Sequence, residues 1–236
     1  MPLIQHSDNL MCLLISGREN FRKLFNVSQR LAPKPYCTAV SSRQRLTYTV
    51  SIMSLVTFTS PSGRLQLRSP ELSDATNILH RIQDPQCVAH LPHLRDSKFT
   101  LQGTTSRIAS WRESTSETDL FLVIVLRDGQ KLIGDGGFEM LDHATETGEA
   151  GVMLNSDPQV RGKGYAIEAL EATFQYGFTC LGLQKIILRT LKENVPMGNL
   201  LKEHFQLTPE YREVEAGTEC VFTMLKDNFI ALHLKR

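Results

Sequence analysis

The chain has 236 residues, of which 41% are hydrophobic and 22% are charged, and this composition excludes a fully disordered protein because it supports a sizeable core. The formal net charge of +1 gives no overall bias towards nucleic acid, and no apolar run is long enough to span a bilayer. The cysteines show no C-x-x-C spacing, which is typical of reduced thiols rather than a disulfide framework or a zinc ribbon. They are Cys12, Cys37, Cys87, Cys180 and Cys220.

Residues 1–52 differ in composition from the folded domain predicted over residues 53–236. They are rich in Arg and Ser, with seven basic and two acidic side chains, and show no sustained hydrophobic period. This composition predicts a presequence or a disordered extension, and an extension without function ahead of an alternative start at Met53 is equally consistent with it. A presequence implies a mitochondrial protein, whereas a start at Met53 implies a cytoplasmic one. A nucleic-acid-binding role is disfavoured, because the segment lacks interleaved aromatic residues.

The domain is predicted to begin with a strand and a helix. The stretch GRLQLRSP alternates Leu65 and Leu67 with polar neighbours, as a half-buried strand does. The overlapping stretch SPELSDATNILHRI has apolar residues at helical spacing up to Ile82. Residues 84–118 are polar and irregular apart from a helix predicted around Thr105–Glu113, so their loops are candidates for lining a substrate pocket.

The middle of the chain predicts a β-sheet. The stretch DLFLVIVLRDGQKLIGDGGFEML contains two strands joined at Asp128-Gly129, a strong hairpin signal, and its run FLVIVL favours a central strand. The stretch GEAGVMLNSDPQ predicts another short strand that ends at turn residues. Later segments predict a strand in QKIILRTL, a helix starting near Pro196, and a closing pair of strands in EYREVE and ECVFTMLK.

The stretch DPQVRGKGYAIEALEATFQYGF, residues 157–178, places two glycines and two cations ahead of an amphipathic helix. The first N–H groups of a helix have no intrahelical partner and lie at the positive end of its dipole, so they bind anions. Glycines let a phosphate approach the backbone, and Arg161 and Lys163 add positive charge. The spacing does not match a P-loop, because no Lys-Ser or Lys-Thr follows Gly164, nor a dinucleotide fingerprint, because Ile167 stands where Gly or Ala is required.

The residues Gln159, Gly162 and Gly164, after a strand and before an amphipathic helix, fit the pattern Q/R-x-x-G-x-G/A. This pattern resembles the acetyl-CoA signature of the GCN5-related N-acetyltransferase (GNAT) superfamily. The segment from GEAGVML to ENVPM looks like the RimJ/RimL-like, ribosomal-protein alanine acetyltransferase branch, and the resemblance covers about residues 64–227. It implies an α/β (α+β) fold with a mixed, mostly antiparallel central sheet, splayed central strands and flanking helices.

The resemblance also implies where acetyl-CoA binds. The cofactor pyrophosphate is expected on the backbone of the glycine loop, and the pantetheine arm along the preceding strand, paired with its backbone. A further contact is expected from Asn194, for which ordinary helix capping is the alternative. The implied cofactor-binding residues are Val152, Met153, Leu154, Gln159, Arg161, Gly162, Lys163, Gly164, Tyr165, Ala166 and Asn194.

For catalysis, the resemblance implies direct attack of an amine on the acetyl carbonyl, with Glu149 as the base that removes a proton. A solvated glutamate in a hairpin turn is the alternative for Glu149. The chain departs from the family in its second helix, where Met197 replaces a frequent cofactor-contacting serine and Gln206 replaces a glycine. No tyrosine lies there to act as the acid. His204 is a candidate replacement, although a merely exposed histidine is the simpler interpretation.

These observations predict an N-acetyltransferase that transfers an acetyl group from acetyl-CoA to a primary amine, either a protein N-terminus or a small molecule, as a monomer or a homodimer. The alternative is a catalytically weak acyl-CoA-binding regulatory module, which the missing serine and tyrosine favour. No metal is expected, because Cys87, His90 and His93 in CVAHLPH are better explained as loop residues. Acidic residues in the predicted substrate loops suit a cationic amine, although solvated surface charge explains them equally well. They are Asp96, Glu113, Glu117, Asp119, Asp142, Glu146 and Glu149.

Overall fold

The computed structural model describes residues 55–95, 97–113 and 118–234. In this part of the chain, one mixed sheet carries helices on both faces. No helix among these residues is long and apolar enough to cross a membrane. Several predictions concern residues outside the description, namely the extension at 1–52, the start at Met53, and the acidic side chains of Asp96, Glu113 and Glu117.

The sheet has eight strands, numbered here along the chain: β1 Thr57–Thr59, β2 Leu65–Arg68, β3 Leu120–Leu126, β4 Lys131–Asp142, β5 Thr147–Leu154, β6 Lys185–Leu191, β7 Glu210–Val214 and β8 Gly217–Leu225. Their order across the sheet is β1-β2-β3-β4-β5-β6-β8-β7. All neighbours pair antiparallel except β5 and β6, which are parallel. The predicted fold class, a mixed and mostly antiparallel sheet with flanking helices, is confirmed.

The helices cover the two faces of this sheet. They are α1 Ala75–Gln83, α2 Pro92–Arg95, α3 Leu101–Glu113, α4 Tyr165–Thr179, α5 Val195–Asn199 and α6 Lys226–Leu234. A 3-10 turn, Leu72–Asp74, leads into α1, and a π-helical turn, Leu200–His204, continues α5. The Asp74 carboxylate accepts hydrogen bonds from Glu71 N and from Arg68 Nη1, both at 2.7 Å, and this closes the connection between β2 and α1.

Strand β3 is buried on both faces, as its continuous apolar run predicts. Leu122 and Ile124 pack with α4, whereas Val123 and Val125 pack with α1 and α3. Full burial of such a side chain stabilises the fold by roughly 1.5–3 kcal/mol relative to an exposed one. The strand therefore joins two separate apolar cores across the sheet.

Strands β5 and β6 separate after a short parallel contact. They pair over three positions that end at Glu149 and Ile187. Beyond this point β5 runs on to Leu154 and β6 to Leu191, and neither pairs with the other. The divergence opens a V-shaped splay whose apex is Glu149, in agreement with the predicted splayed strands.

The structure contains elements that have no counterpart in the sequence pattern. These are β1, α2 and α6, and in addition α3 begins at Leu101 rather than near Thr105. The early start of α3 has a local cause, because Thr100 Oγ1 accepts a hydrogen bond from Gly103 N at 3.1 Å and so caps the helix. Helix α6 is held against the sheet by the buried side chain of Phe229.

Candidate active site

The glycine loop between β5 and α4 has the backbone that its sequence predicts. Gly162 and Gly164 have φ angles of 72° and 80°, in the left-handed region that other residues disfavour. A Cβ added at Gly162 would meet nothing within 4 Å. Gly164 is the N-cap of α4, and no side chain caps the helix there. The loop therefore requires glycine for its backbone and leaves open space where a ligand can approach.

Backbone N–H groups at the start of α4 are suited to an anion. The first bond within the helix is donated by Glu168 N to Gly164 O at 3.1 Å. The amides of residues 165–167 precede it and have no acceptor in the helix. Since these N–H groups lie at the positive end of the helix dipole, the arrangement fits a phosphate or pyrophosphate group.

The two cations of the loop, Arg161 and Lys163, are exposed beside the glycines, as is Gln159 at the start of the loop. Arg161 Nε donates to Asn155 O at 3.2 Å, and Arg161 Nη2 donates to Gln86 O at 3.4 Å. These bonds tie the loop to the end of β5 and to the turn after α1. The positive charges consequently lie next to the predicted pyrophosphate position.

The predicted pantetheine strand is the end of β5, and its residues Val152, Met153 and Leu154 are all half-buried. Val152 and Leu154 pack towards α4, while Met153 packs towards α1 and α3. Because β6 has diverged at this point, one edge of the segment has no strand paired with it. An unpaired strand edge presents backbone N–H and C=O groups to an extended ligand.

Asn194 is the N-cap of α5. Its Oδ1 accepts a hydrogen bond from Met197 N at 3.4 Å, and its Nδ2 donates to Thr190 Oγ1 at 2.9 Å. Both ends of the side-chain amide are therefore used within the chain, as the capping interpretation requires. A contact of Asn194 with the cofactor stays a prediction.

Glu149 lies at the apex of the splay and is buried, with 2% of its surface exposed. Its Oε2 accepts a hydrogen bond from Arg189 Nε on β6 at 2.7 Å. Arg189 Nη1 also donates to Glu219 on β8 at 3.3 Å. The interpretation of Glu149 as a solvated glutamate in a hairpin turn is therefore wrong, because the folded sheet covers its carboxylate and pairs it with a guanidinium.

A second buried carboxyl, Glu139 on β4, faces Glu149. The two residues are directly opposite in the register of β4 and β5, so they share one face of the sheet. Glu139 is 0% exposed, and neither of its carboxyl oxygens has a hydrogen-bond partner among the described residues. Burial, together with the nearby charges of Glu149 and Asp119, raises the pKa of Glu139 to about 9. Glu139 therefore carries a proton at neutral pH.

A bulge in β4 immediately follows Glu139. The register of β4 against β5 shifts between Glu139 and Asp142, and Met140 within the bulge has a φ of 49° and is 53% exposed. The extra residue lets Leu141 return to the core on the α4 side. Sequence reasoning missed Glu139, because its one signal is an acidic residue between Phe138 and Met140, and glutamate in a strand is usually solvated.

The other acidic residues proposed for the acceptor side occupy different places. Asp119 lies close enough to Glu139 to contribute to its raised pKa. Asp142 ends β4, where hydrogen bonds from Thr145 lower the pKa of its carboxyl. Glu146 lies in the following turn with a φ of 52°. Among these three, Asp119 lies near the buried carboxyls, whereas Asp142 and Glu146 lie at the turn between β4 and β5.

The remaining candidates from the sequence are His204 and the Cys87 segment. His204 is partly buried, and its Nε2 lies 3.1 Å from Glu171 Oε1, so it is not a merely exposed histidine. Cys87 Sγ donates to Leu154 O at 3.5 Å. Within the described ranges, no group of three or more His, Cys, Asp or Glu side chains is arranged to hold a metal ion.

A family match covers the glycine loop, the splay and the buried carboxyls. Residues 64–204, more than half of the chain, match the family described as the acetyltransferase (GNAT) domain. The chain therefore belongs to this family. The match begins at β2 and ends with the π-helical turn, so it includes the glycine loop, both splayed strands and the second helix.

Individual relatives agree with this assignment. The uncharacterized N-acetyltransferase p20 of Bacillus licheniformis is 29% identical over 138 residues, which cover 58% of this chain and 76% of p20. The spermidine N-acetyltransferase of Vibrio cholerae, solved in complex with CoA and spermine, has a TM-score of 0.62 at 19% identity, covering 71% of this chain and 98% of that one. RimJ of Mycobacterium smegmatis, solved in complex with CoA-disulfide, has a TM-score of 0.61 at 18% identity, covering 77% and 93%. These two likenesses show the fold alone, and they do not separate the predicted RimJ/RimL-like branch from spermidine acetyltransferases.

Proposed function

We propose that this protein is an N-acetyltransferase that uses acetyl-CoA to acetylate a primary amine, either a protein N-terminus or a small molecule. The observation that carries the proposal is the splay between β5 and β6. It leaves a free edge of β5 between an anion-binding helix start and two buried carboxyls. One extended cosubstrate with a phosphate group at one end and a reactive group at the other suits this arrangement.

Two parts of acetyl-CoA, the pyrophosphate and the pantetheine arm, are proposed to bind to the glycine loop and to β5. The amides of the glycine loop from Gly162 to Ala166, which include Tyr165, are proposed to bind the pyrophosphate, and Arg161 and Lys163 to neutralise it. The free edge of residues 152–154 is proposed to pair with the pantetheine amides as an added strand would. Acetyl-CoA supplies the activated acetyl group when bound. Gln159 and Asn194 are proposed as further contacts.

The proposed chemistry is direct attack of the amine on the acetyl carbonyl. An alkylamine is mostly protonated at neutral pH, so a base must remove a proton before it attacks, and Glu149 at the apex is proposed for this role. Backbone N–H groups on the free edge of β5 are proposed to stabilise the developing oxyanion. Because residues 192–207 contain no tyrosine, the leaving thiolate takes its proton from the amine or from water.

The acceptor class follows from the charge at the apex. The acids Asp119 and Glu149 lie near the protonated Glu139, and Arg189 is the cation that contacts Glu149. Such a group attracts a cationic amine and repels an acidic one. The test therefore includes a polyamine, because the Vibrio cholerae structure contains spermine. It also includes a peptide with a free N-terminus, as the RimJ/RimL-like resemblance implies.

The first test is binding of acetyl-CoA to the full chain by titration calorimetry. Gly162→Glu places a carboxylate and a side chain at the proposed pyrophosphate position and should weaken binding at least tenfold. Gly129→Glu is a matched control, because Gly129 also has a φ of 72° and nothing within 4 Å of an added Cβ, and it lies in the turn between β3 and β4. The control introduces the same strain and charge and should bind acetyl-CoA like the wild type.

The second test is release of free CoA with spermine, butylamine and a short peptide with a free N-terminus. Release that depends on an amine, together with lost binding in Gly162→Glu alone, would support the transferase. Binding of acetyl-CoA with no release on any amine would instead support the regulatory module. Absence of acetyl-CoA binding by the wild type would reject both.

A further inference from the structure

The two carboxyls at the apex have different surroundings. The Glu149 carboxylate accepts a hydrogen bond from Arg189 at 2.7 Å, so a cation lies beside it. Glu139 lies directly opposite, and the described residues offer neither of its oxygens a hydrogen bond. Within the described residues, the pair therefore consists of one carboxyl that contacts a cation and one, Glu139, that receives no hydrogen bond.

Two glycines lie next to this pair in the sheet. Two positions further along the same strands, Gly137 lies opposite Gly151. Since side chains two residues apart point to the same face of a strand, the glycine pair lies next to the carboxyl pair on that face. At these two positions β4 and β5 place no side chain against Glu139 and Glu149, and the backbone of β3 lies beside Gly137, where an added Cβ would meet Leu120 O.

We propose that Glu139 and Glu149 together form the proton acceptor for the substrate amine, with Glu149 as the permanent carboxylate and Glu139 as the group that exchanges the proton. The inference rests on the proposed acetyl transfer and deepens it. It assigns to this chain's own residue Glu139 a role next to Glu149, and it replaces a single base by a carboxyl pair that shares one proton.

The protons balance over one turnover. An ammonium that enters between the carboxyls favours the ionised form of Glu139, whose proton leaves to water. Glu139 then takes one N–H proton, and the nitrogen lone pair forms the bond to the acetyl carbon while the carbon–sulfur bond breaks with its electron pair on sulfur. A second N–H proton goes to the thiolate, directly or through water, and the third stays on the amide nitrogen. Glu139 ends protonated, as it began, and one proton has been released.

The electrostatics of the apex agree with this role. Burial and the facing charges of Glu149 on β5 and Asp119 before β3 raise the pKa of Glu139 to about 9. This value is near that of an alkylammonium group, so proton transfer between the two has a small free-energy cost. The cation of the group, Arg189 on β6, donates to Glu149 and to Glu219 on β8. Because its hydrogen bonds go to these two carboxylates, Glu139 stays protonated.

Glu139→Gln keeps the shape of the neutral acid and removes its proton exchange, so it is the variant that tests the inference. In the free protein at pH 7, the infrared band of a buried protonated carboxyl should be present in the wild type and absent in Glu139→Gln. With an amine that the wild type turns over, kcat should fall about 100-fold or more in Glu139→Gln, while the Kd for acetyl-CoA stays within twofold. Titration of the amine in buffers of different ionisation enthalpy should show one proton released per amine bound by the wild type and none by Glu139→Gln.

The control is Glu210→Gln, which removes an exposed acid on β7 and should leave the band, the kcat and the proton release unchanged. Absence of the carboxyl band in the wild type, or a wild-type kcat in Glu139→Gln, would overturn the carboxyl pair while acetyl transfer itself stands. A wild type that binds acetyl-CoA and acetylates none of the amines would reject the acetyl transfer, and the inference would fall with it.

Discussion

Replacing Glu139 with glutamine should change how the stability of the protein depends on pH. The pKa of Glu139 is about 9 in the folded protein, because the carboxyl is buried and faces Glu149 and Asp119, whereas its ordinary value is 4.5. Between these two values, unfolding releases a proton. The contribution of Glu139 to the free energy of unfolding is therefore fully present below pH 4.5. It is lost as the pH rises towards 9.

The magnitude follows from the exchange of one proton. Each pH unit in this window changes the free energy of unfolding by about 1.4 kcal/mol. From pH 6 to pH 8, the wild type should therefore lose about 2.7 kcal/mol relative to Glu139→Gln, whose amide does not titrate. The difference between the slopes of the two proteins therefore reports the titration of Glu139 together with its coupling to Glu149 and Asp119.

Urea unfolding at pH 6, 7 and 8, followed by far-UV circular dichroism, measures these free energies. Glu210→Gln serves as the control, because its carboxyl is exposed and its slope should equal that of the wild type. Parallel lines for the wild type and Glu139→Gln would refute the reasoning, since Glu139 would then be ionised in the folded protein despite its burial.

Three further predictions concern stability. Gln206→Gly should raise the free energy of unfolding by about 1 kcal/mol in urea unfolding, because Gln206 is exposed and has a φ of 56° just after the π-helical turn, a position that favours glycine. Arg81→Met should lower it by about 3–5 kcal/mol in the same assay, since it leaves the buried Asp135 carboxylate without the guanidinium that donates to it at 2.9 Å. Burial lowers the pKa of His93 from 6.5 to about 4, so between these pH values the protein takes up a proton when it unfolds. The free energy of unfolding therefore falls as the pH drops, and His93→Gln should flatten this fall between pH 7 and pH 5.

Each of these predictions has a control and a contradicting result. Gln102→Gly, in the regular helix α3, should destabilise, and a stabilised Gln102→Gly would show that the gain at Gln206 is unrelated to its φ. The double variant Arg81→Met/Asp135→Leu should recover much of the loss, and no recovery would locate the cost outside the ion pair. His143→Gln, which removes an exposed histidine, is the control, and an unchanged slope in His93→Gln would argue against a neutral, half-buried His93.

The glycine loop and the helix after it could be predicted from the sequence, because their requirements are local. Left-handed φ angles at Gly162 and Gly164 favour glycine for a local reason, and the helix that follows shows its apolar face in consecutive turns. The hairpin at Asp128-Gly129 and the doubly buried strand β3 are local in the same sense. The family resemblance rests on these segments, and for this reason the sequence predicts the fold class as well.

The carboxyl pair could not be predicted in this way, since it depends on register and on contacts that are distant along the chain. Glu139 faces Glu149 because β4 and β5 pair in one register up to a bulge at Met140, and a shift of one residue would send either carboxylate to the other face. Arg189, forty residues after Glu149, reaches it from β6.

By itself, the sequence of this protein determines a GNAT-like fold and a glycine-marked helix start, and it predicts phosphate binding there and a base at Glu149. The tertiary structure alone decides that this glutamate is buried and paired with Arg189, and that a second, protonated glutamate lies opposite it. The physical reason is that the charge state of a carboxyl depends on the solvent and the charges around it, and these are brought together only when the strands pair.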